Sequence, residues 1–267
     1  YTAKGYTYLL VDSRNLSTIQ WPLVGLNVTS DPPYYYTNDM EAAWYDPVAN
    51  VTRGWFHLDL GTDGNDDFFV SEIAYAESND YGRNFKPNRF DRLKKDRVIM
   101  SGGPYFKTQA QIDESGTRNG GVGAHWVIEM DDYLWMYYFD FWGELADGTH
   151  SSGLCLARAT KASGGIPGSW WKLYKGSFSQ PGRLGNCSII DNVYASSITK
   201  ISGIPPYNID FYYAFAPSIR LNSASLDGLN WVFTWGAALP PVHSIIDPNN
   251  PNNRVAGFGY FSVVKDE

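Results

Sequence analysis

The sequence predicts an all-β chain assembled from repeated strand units, the pattern of a β-propeller. One turn signal recurs. Ser78-Asn79-Asp80-Tyr81-Gly82-Arg83-Asn84-Phe85 fits S-x-D-x-G-x-x-aromatic, and Ser225-Leu226-Asp227-Gly228-Leu229-Asn230-Trp231 is a version one residue shorter. Looser echoes run from Ala159 to Trp170 and from Ser13 to Trp21. In each, a small or hydroxylated residue ends an apolar run, Gly, Asp or Asn turns the chain, and an aromatic opens the next run. Their spacing of roughly 60 to 85 residues is that of blades. Composition agrees: aromatics make up 16% and charged residues 18%, with 26 Gly and 15 Pro, which favours strands and turns. Finally, no stretch keeps helical periodicity with caps over three turns; the best helix candidate, 89–97, is short and basic.

Taken in order, the first unit has strands over 6–12 and 23–28 around its turn window. The second opens at Trp44-Tyr45-Asp46-Pro47-Val48, continues over 54–60 and 68–76, turns at Ser78 and closes over 97–100. A polar, Gly-rich segment over 107–121 reads as a loop. The third unit runs through 125–130, a turn at Asp131-Asp132, then 133–141 and 153–160, into the Trp170 window. The fourth spans 188–235 and turns at Ser225. The tail over 255–264 has no turn window of its own, so it is expected to complete the first unit and close the ring with strands from both termini. Four units are countable, and the interval between Phe85 and Thr160 has room for a fifth. No composition break divides the chain, which reads as one domain over 1–267.

The net charge of −7 argues against nucleic acid as a partner, because phosphate binding needs a basic stripe. The cluster Arg89, Arg92, Lys94, Lys95 and Arg97 is interleaved with Asp91 and Asp96 and reads as a solvated edge. No run of about 18 apolar residues occurs, so no membrane insertion is expected. A start at Tyr1, without initiator Met or secretory apolar region, has the form of a processed chain or a fragment. Cys155 and Cys187 are the two cysteines; the reading is a secreted, extracellular protein with one disulfide, the alternative a pair of buried thiols. Sequons at Asn15, Asn27, Asn50 and Asn186 are glycosylation candidates if the chain is eukaryotic.

Gly153-Leu154-Cys155-Leu156-Ala157-Arg158-Ala159-Thr160, followed by Pro167-Gly168-Ser169-Trp170, resembles a strand-turn-strand of five-bladed propeller glycoside hydrolases of the family-43 type. Ser225-Leu226-Asp227-Gly228-Leu229-Asn230-Trp231 is similar to their recurrent turn, and Trp44-Tyr45-Asp46-Pro47-Val48 resembles the opening of an inner strand. The resemblance implies five blades and carboxylates opposed across a central funnel, one protonating the leaving oxygen and another activating water or attacking. Asp46 is the first candidate, since Asp-Pro at a strand opening aims the carboxylate at the rim; its alternative is a turn-opening Asp. Glu41 and Asp191 follow, Asp191 being equally readable as a turn residue. Trp44, His125, Trp126 and Trp142 are the substrate-binding candidates, with Asp140 and Glu144 flanking Trp142 in an expected loop. Glu72, mid-strand among apolar neighbours, reads as solvent-facing.

No metal is expected. Asp63-Gly64-Asn65-Asp66-Asp67 has oxygen ligands at alternating positions, as a Ca²⁺ loop does, but lacks the Gly and the twelfth-position Glu of an EF-hand and reads as an acidic turn. The four histidines show no H-x-x-H spacing, and no cofactor motif is present. Three functions fit: a secreted glycosidase acting on a polysaccharide, a non-catalytic glycan-binding propeller, and a self-assembling subunit of an extracellular surface.

Overall fold

Long runs of aromatic and β-branched residues, broken by Asp, Asn and Gly turns, make this chain all-β. The computed structural model describes residues 37–62, 65–82, 84–87, 96–102, 119–191, 197–204, 209–216 and 221–234. Among them are thirteen strands: β1 (Thr37–Asp46), β2 (Val51–Thr62), β3 (Asn65–Ser78), β4 (Val98–Ser101), β5 (Asn119–Met130), β6 (Tyr133–Glu144), β7 (His150–Thr160), β8 (Trp171–Tyr174), β9 (Ser177–Pro181), β10 (Ser197–Ile204), β11 (Ile209–Ala216), β12 (Leu221–Ser225) and β13 (Val232–Thr234). The one helical segment among the described residues is a 3-10 turn, Lys161–Ser163. No described helix is long and apolar enough to cross a membrane. The expected strands over 6–28 and 255–264, their turn window, Asn15, Asn27 and most of the basic stretch 89–97 lie outside the described residues.

The described strands fall into two compact units, β1–β9 and β10–β13. In the first, β1–β2–β3–β4 and β5–β6–β7–β8–β9 are two antiparallel meanders. A short parallel pairing, Phe69↔Asn119 to Ser71↔Gly121, joins them into one mixed nine-stranded sheet. Its path runs from β1 to β9 without closing among the described residues. Gly121 is needed at the junction: its φ is +84°, and a Cβ there would strike the Ser71 backbone. The second unit is the antiparallel meander β10–β11–β12–β13. The second, third and fourth units read from the sequence are therefore meanders in the structure.

The turn windows fall at the same place in each meander, between the third and fourth strands. Ser78 Oγ donates to Asp80, the Gly82 amide donates back to Ser78 Oγ, and Asn84 Nδ2 donates to Asp80 Oδ2 at 2.6 Å. The other box repeats this bond for bond: Ser225 Oγ to Asp227 at 3.0 Å, Gly228 N to Ser225 Oγ at 2.9 Å, Asn230 Nδ2 to Asp227 Oδ2 at 2.7 Å. Burial pushes the Asp227 carboxyl up, but the Asn230 and Leu229 amides outweigh it, leaving the pKa at about 2. The closing aromatics lock the turns. Trp231 Nε1 donates to Gly228 O at 3.2 Å, and Trp170 Nε1 to Gly165 O at 2.8 Å. Phe85 packs edge-on against Phe56, over Gly54.

Inward-facing residues of both meanders form the core of the first unit. Trp55 meets Trp170 edge to face at 5.9 Å, and Tyr75, Met100, Leu134 and Met136 pack around them. Cys155 on β7 and Cys187 beyond β9 form the expected disulfide, with Cα atoms 6.2 Å apart and both residues buried. Beside it Lys172 is fully buried; its Nζ donates to Ser101 O at 2.7 Å and Gly185 O at 2.8 Å, and lies 3.9 Å from Asp140 Oδ2. Burial lowers its pKa to about 8 against the pull of Asp140.

The bridge closes 32 residues, so the double variant Cys155→Ser/Cys187→Ser should lose about 3–4 kcal/mol in urea unfolding. Unreduced, denatured wild-type protein should titrate no free thiol. Two thiols per chain would refute the bridge.

Candidate functional site

A strand normally alternates its side chains between two faces, so an acid reaches a buried junction only where that alternation is broken. β1 is broken at Glu41. Met40 pairs with Phe56 and Ala42 with Trp55, which leaves Glu41 as the extra residue of a β-bulge. β5 is broken at the matching place. Gly123 pairs with Phe139 and Trp126 with Tyr137, so Ala124 and His125 stand against a single residue, with Ala124 at φ +42°. A non-glycine residue held there costs on the order of 1–2 kcal/mol. The two bulges meet. The His125 amide donates to Glu41 Oε2 at 2.7 Å, and His125 Nδ1 lies 2.9 Å from the same oxygen.

The other Glu41 oxygen, Oε1, lies 3.0 Å from His57 Nδ1, and His57 Nε2 lies 3.0 Å from Asp59 Oδ1. Both ring nitrogens of His57 thus lie 3.0 Å from a carboxylate oxygen, Nδ1 in a hydrogen bond and Nε2 in an ion-pair contact without hydrogen-bond geometry, and the two negative charges favour the imidazolium. Ser71 Oγ, across the β2–β3 ladder, donates to Asp59 Oδ1 at 2.6 Å. His125 Nε2 lies 3.1 Å from the Trp55 carbonyl. Gly123 makes room for this chain: a Cβ there would sit 2.6 Å from His57 Nε2.

Burial alone would raise the Glu41 carboxyl. The adjacent His57 and His125 outweigh it by charge and hydrogen bonding, and hold it well below the usual carboxylate range. Burial likewise opposes the charge on His57, but Glu41 and Asp59 raise its pKa well above 6.5. The cluster is graded in exposure. The Glu41 and His125 side chains are 1% and 0% exposed, while His57 and Asp59 reach 14% and 17%. Any molecule arriving from solvent meets Asp59 and His57 first. A charged imidazole there can give a proton, and a carboxylate beside it can accept one or take a hydroxyl.

The other nominated residues lie elsewhere. Asp46 ends β1 and holds the following turn: Oδ1 accepts from the Val48 and Ala49 amides at 3.0 Å, and Oδ2 accepts from Arg53 Nη2 at 2.8 Å and Nε at 3.1 Å. Burial raises its carboxyl, but the Ala49 amide, Arg53 and the Val48 amide bring it below 3.8. Along β1 it lies roughly 16 Å from Glu41, so the two do not converge. Asp191 pairs through its backbone with Leu154. Trp44 Nε1 donates to Glu129 at 3.2 Å, and Trp126 is half-buried on β5. Asp140, Trp142 and Glu144 lie on β6 rather than in a loop, because the run bulges and still pairs with β7. Trp142 stacks on His150 at 5.1 Å with the planes 6° apart. Glu72, expected to face solvent, is fully buried, on a strand paired along both edges, with β2 and with β4. Asn65 of the acidic turn pairs with Thr62; Asp63 and Gly64 lie outside the described residues. Asp140, Cys155 and Cys187 cluster as metal ligands would, but both sulfurs are bound to each other.

Sequence reasoning nominated Glu41 and His125 and missed His57 and Asp59. Their H-x-D spacing, which puts both on one face of a strand, was the available signal.

No protein-family model and no curated protein matches the sequence. Among solved structures, the chain is similar to a glycosyl hydrolase from Bacteroides ovatus, at 13% identity and a TM-score of 0.41 over 76% of this chain and 51% of that one. It is also similar to proteins assigned as a glycoside hydrolase from Parabacteroides distasonis (11%, TM-score 0.41, 75% and 51%) and as a glycosidase from Bacteroides thetaiotaomicron (15%, TM-score 0.42, 78% and 57%). The chain spans about half the length of these structures.

Removing the Glu41 charge leaves a buried imidazolium without its main partner, so Glu41→Gln should cost about 3–5 kcal/mol in urea unfolding. The cost should vary with pH. The depressed Glu41 contributes above its ordinary 4.5 and loses its effect as pH falls further. The raised His57 contributes fully below 6.5 and loses its effect as pH climbs through its higher folded value. The difference between wild type and variant should therefore peak between pH 4.5 and 6.5 and shrink on either side; a flat difference would contradict the ion chain.

Proposed function

We propose that this chain is a secreted, carbohydrate-active domain of the five-bladed propeller type, hydrolysing a polysaccharide at the Glu41–His57–Asp59–His125 cluster. The observation that carries this is the meeting of two bulged strands, each the first of its meander, around one ionised carboxylate. In a propeller the first strands line the funnel, so residues meeting there face the axis. The recurrent turn at one place in three meanders supports the blade reading, and the tail over 255–264 would close the ring with the first unit. The disulfide supports an oxidising compartment. Asn186 is exposed, as glycosylation would require.

In this reading His57 supplies the proton to the leaving oxygen, and Asp59, 3.0 Å from it, takes a sugar hydroxyl. Glu41 touches no substrate; it holds the imidazole charged and oriented. Asp46, occupied by Arg53 and two amides, is a turn-forming residue. One observation favours the non-catalytic, glycan-binding reading instead: Glu41 and Asp46 are each held ionised by cationic or amide partners, so neither is a proton donor.

The two readings separate on arabinan, xylan and fructan. A glycosidase should release reducing sugar, and Asp59→Asn should lower the rate about 100-fold or more with little change in melting temperature. Asp46→Asn should lower the melting temperature and leave the rate per folded molecule unchanged. Retention of these glycans without hydrolysis would leave the binding reading; neither retention nor hydrolysis would leave the surface-assembly reading.

A further inference from the structure

The turn that Asp46 builds carries an aromatic pair on its outside. Tyr45 and Tyr81 are 43% and 63% exposed, with ring centroids 5.9 Å apart and planes tilted by 31°. Tyr45 Oη donates to Asn50 Oδ1 at 2.7 Å, which fixes the ring against the turn, and Val48 at the tip of that turn is 96% exposed. The pair leaves apolar ring surface in water.

Tyr81 is not where a turn alone would put a tyrosine. It is the residue by which the Ser78 box exceeds the Ser225 box, and Ser225-Leu226-Asp227-Gly228 makes the same hydrogen bonds without it. Its φ is +59°, in the left-handed region, where a bulky side chain costs on the order of 1 kcal/mol or more. The chain thus carries an extra residue in an unfavourable conformation, and the result is a ring turned outward beside Tyr45.

We propose that Tyr45 and Tyr81 form a glycan-binding subsite separate from the Glu41 cluster, taking two neighbouring sugar units of a linear polysaccharide. The inference rests on the reading of the domain as carbohydrate-active. Each ring offers a flat apolar face to a sugar's C–H face, and the Asn50 amide and the phenol hydroxyls rim the faces with donors and acceptors for its hydroxyls. The patch is small. Two rings and one valine fall far short of the roughly 800 Å² per partner of a standard protein interface, which selects a thin ligand over a protein face. Tyr45 stands roughly 13 Å along β1 from Glu41, so one sugar cannot fill both sites while a longer chain can.

The test is affinity electrophoresis of the full chain through gels containing arabinan, xylan or fructan, with protein from a host that adds no N-glycan. Wild type should be retarded by at least one polymer. Tyr81→Gly should bind about tenfold more weakly while its melting temperature rises, because glycine relieves the left-handed strain. Tyr45→Ala/Tyr81→Ala should lose the retardation, yet hydrolyse short soluble oligosaccharides as wild type does. Variants retarded like wild type overturn the subsite and leave the glycan reading standing. Wild type retarded by no polymer, and hydrolysing none, overturns both. A wild-type dimer in sedimentation that Tyr81→Gly abolishes assigns the pair to a second copy of the chain and also overturns the subsite.

Discussion

The first unit is organised around one buried charge. Glu41 lies in a fully desolvated position and stays ionised because His57 and the His125 main chain and ring surround it. An isolated carboxylate there would neutralise rather than remain charged. Several other features follow from accommodating it: the bulge that takes Glu41 out of the β1 alternation, the opposing bulge that swings His125 inward, and the bare Cα of Gly123 beside His57. The parallel pairing at Gly121 holds the two meanders together, so a substitution there would disturb the charge cluster as well as the sheet.

A second constraint is repeated along the chain. Each described meander turns from its third to its fourth strand through a turn closed by an aromatic, and the Ser78 and Ser225 boxes are satisfied internally: hydroxyl to carboxylate, amides to both. Turns saturated in this way need little from their surroundings, so the same peptide solution recurs wherever a meander needs it. The variable part is what each turn carries outward. At Ser225 it carries the exposed Leu226, whereas at Ser78 the inserted Tyr81 joins Tyr45 on the surface.

Much of this was legible in the sequence. The Ser78 and Ser225 boxes were found by residue type because Ser, Asp, Asn and Gly do one job there, the 160–170 turn by its glycines and closing Trp170, and the strands between them were legible because the inward alternation is long and aromatic. The disulfide followed from having two cysteines in an aromatic-rich, lysine-poor chain. Glu41 and His125 were visible as candidates, but their meeting depends on two bulges that no local pattern announces, since a bulge is an answer to packing across strands. Asp46 ranked first because Asp-Pro reads the same whether it faces a funnel or caps a turn; Arg53, seven residues on and across the hairpin, decides between them. Glu72 was misread because its strand is a central one, and the β4 edge beside it comes from more than twenty residues away in the chain. The sequence around Asp140 looked like a loop because a bulge interrupts its alternation while leaving the strand paired.

The central claim is that His57 is held as an imidazolium between Glu41 and Asp59. Nitrogen NMR of the histidine rings across pH 6 to 8 reads this directly. The account predicts one ring, assigned to His57 by its loss in His57→Asn, that keeps both nitrogens protonated well above its ordinary 6.5 and reverts toward that value in Glu41→Gln. A His57 ring that titrates near 6.5 in the wild type would contradict the ion chain and the site built on it.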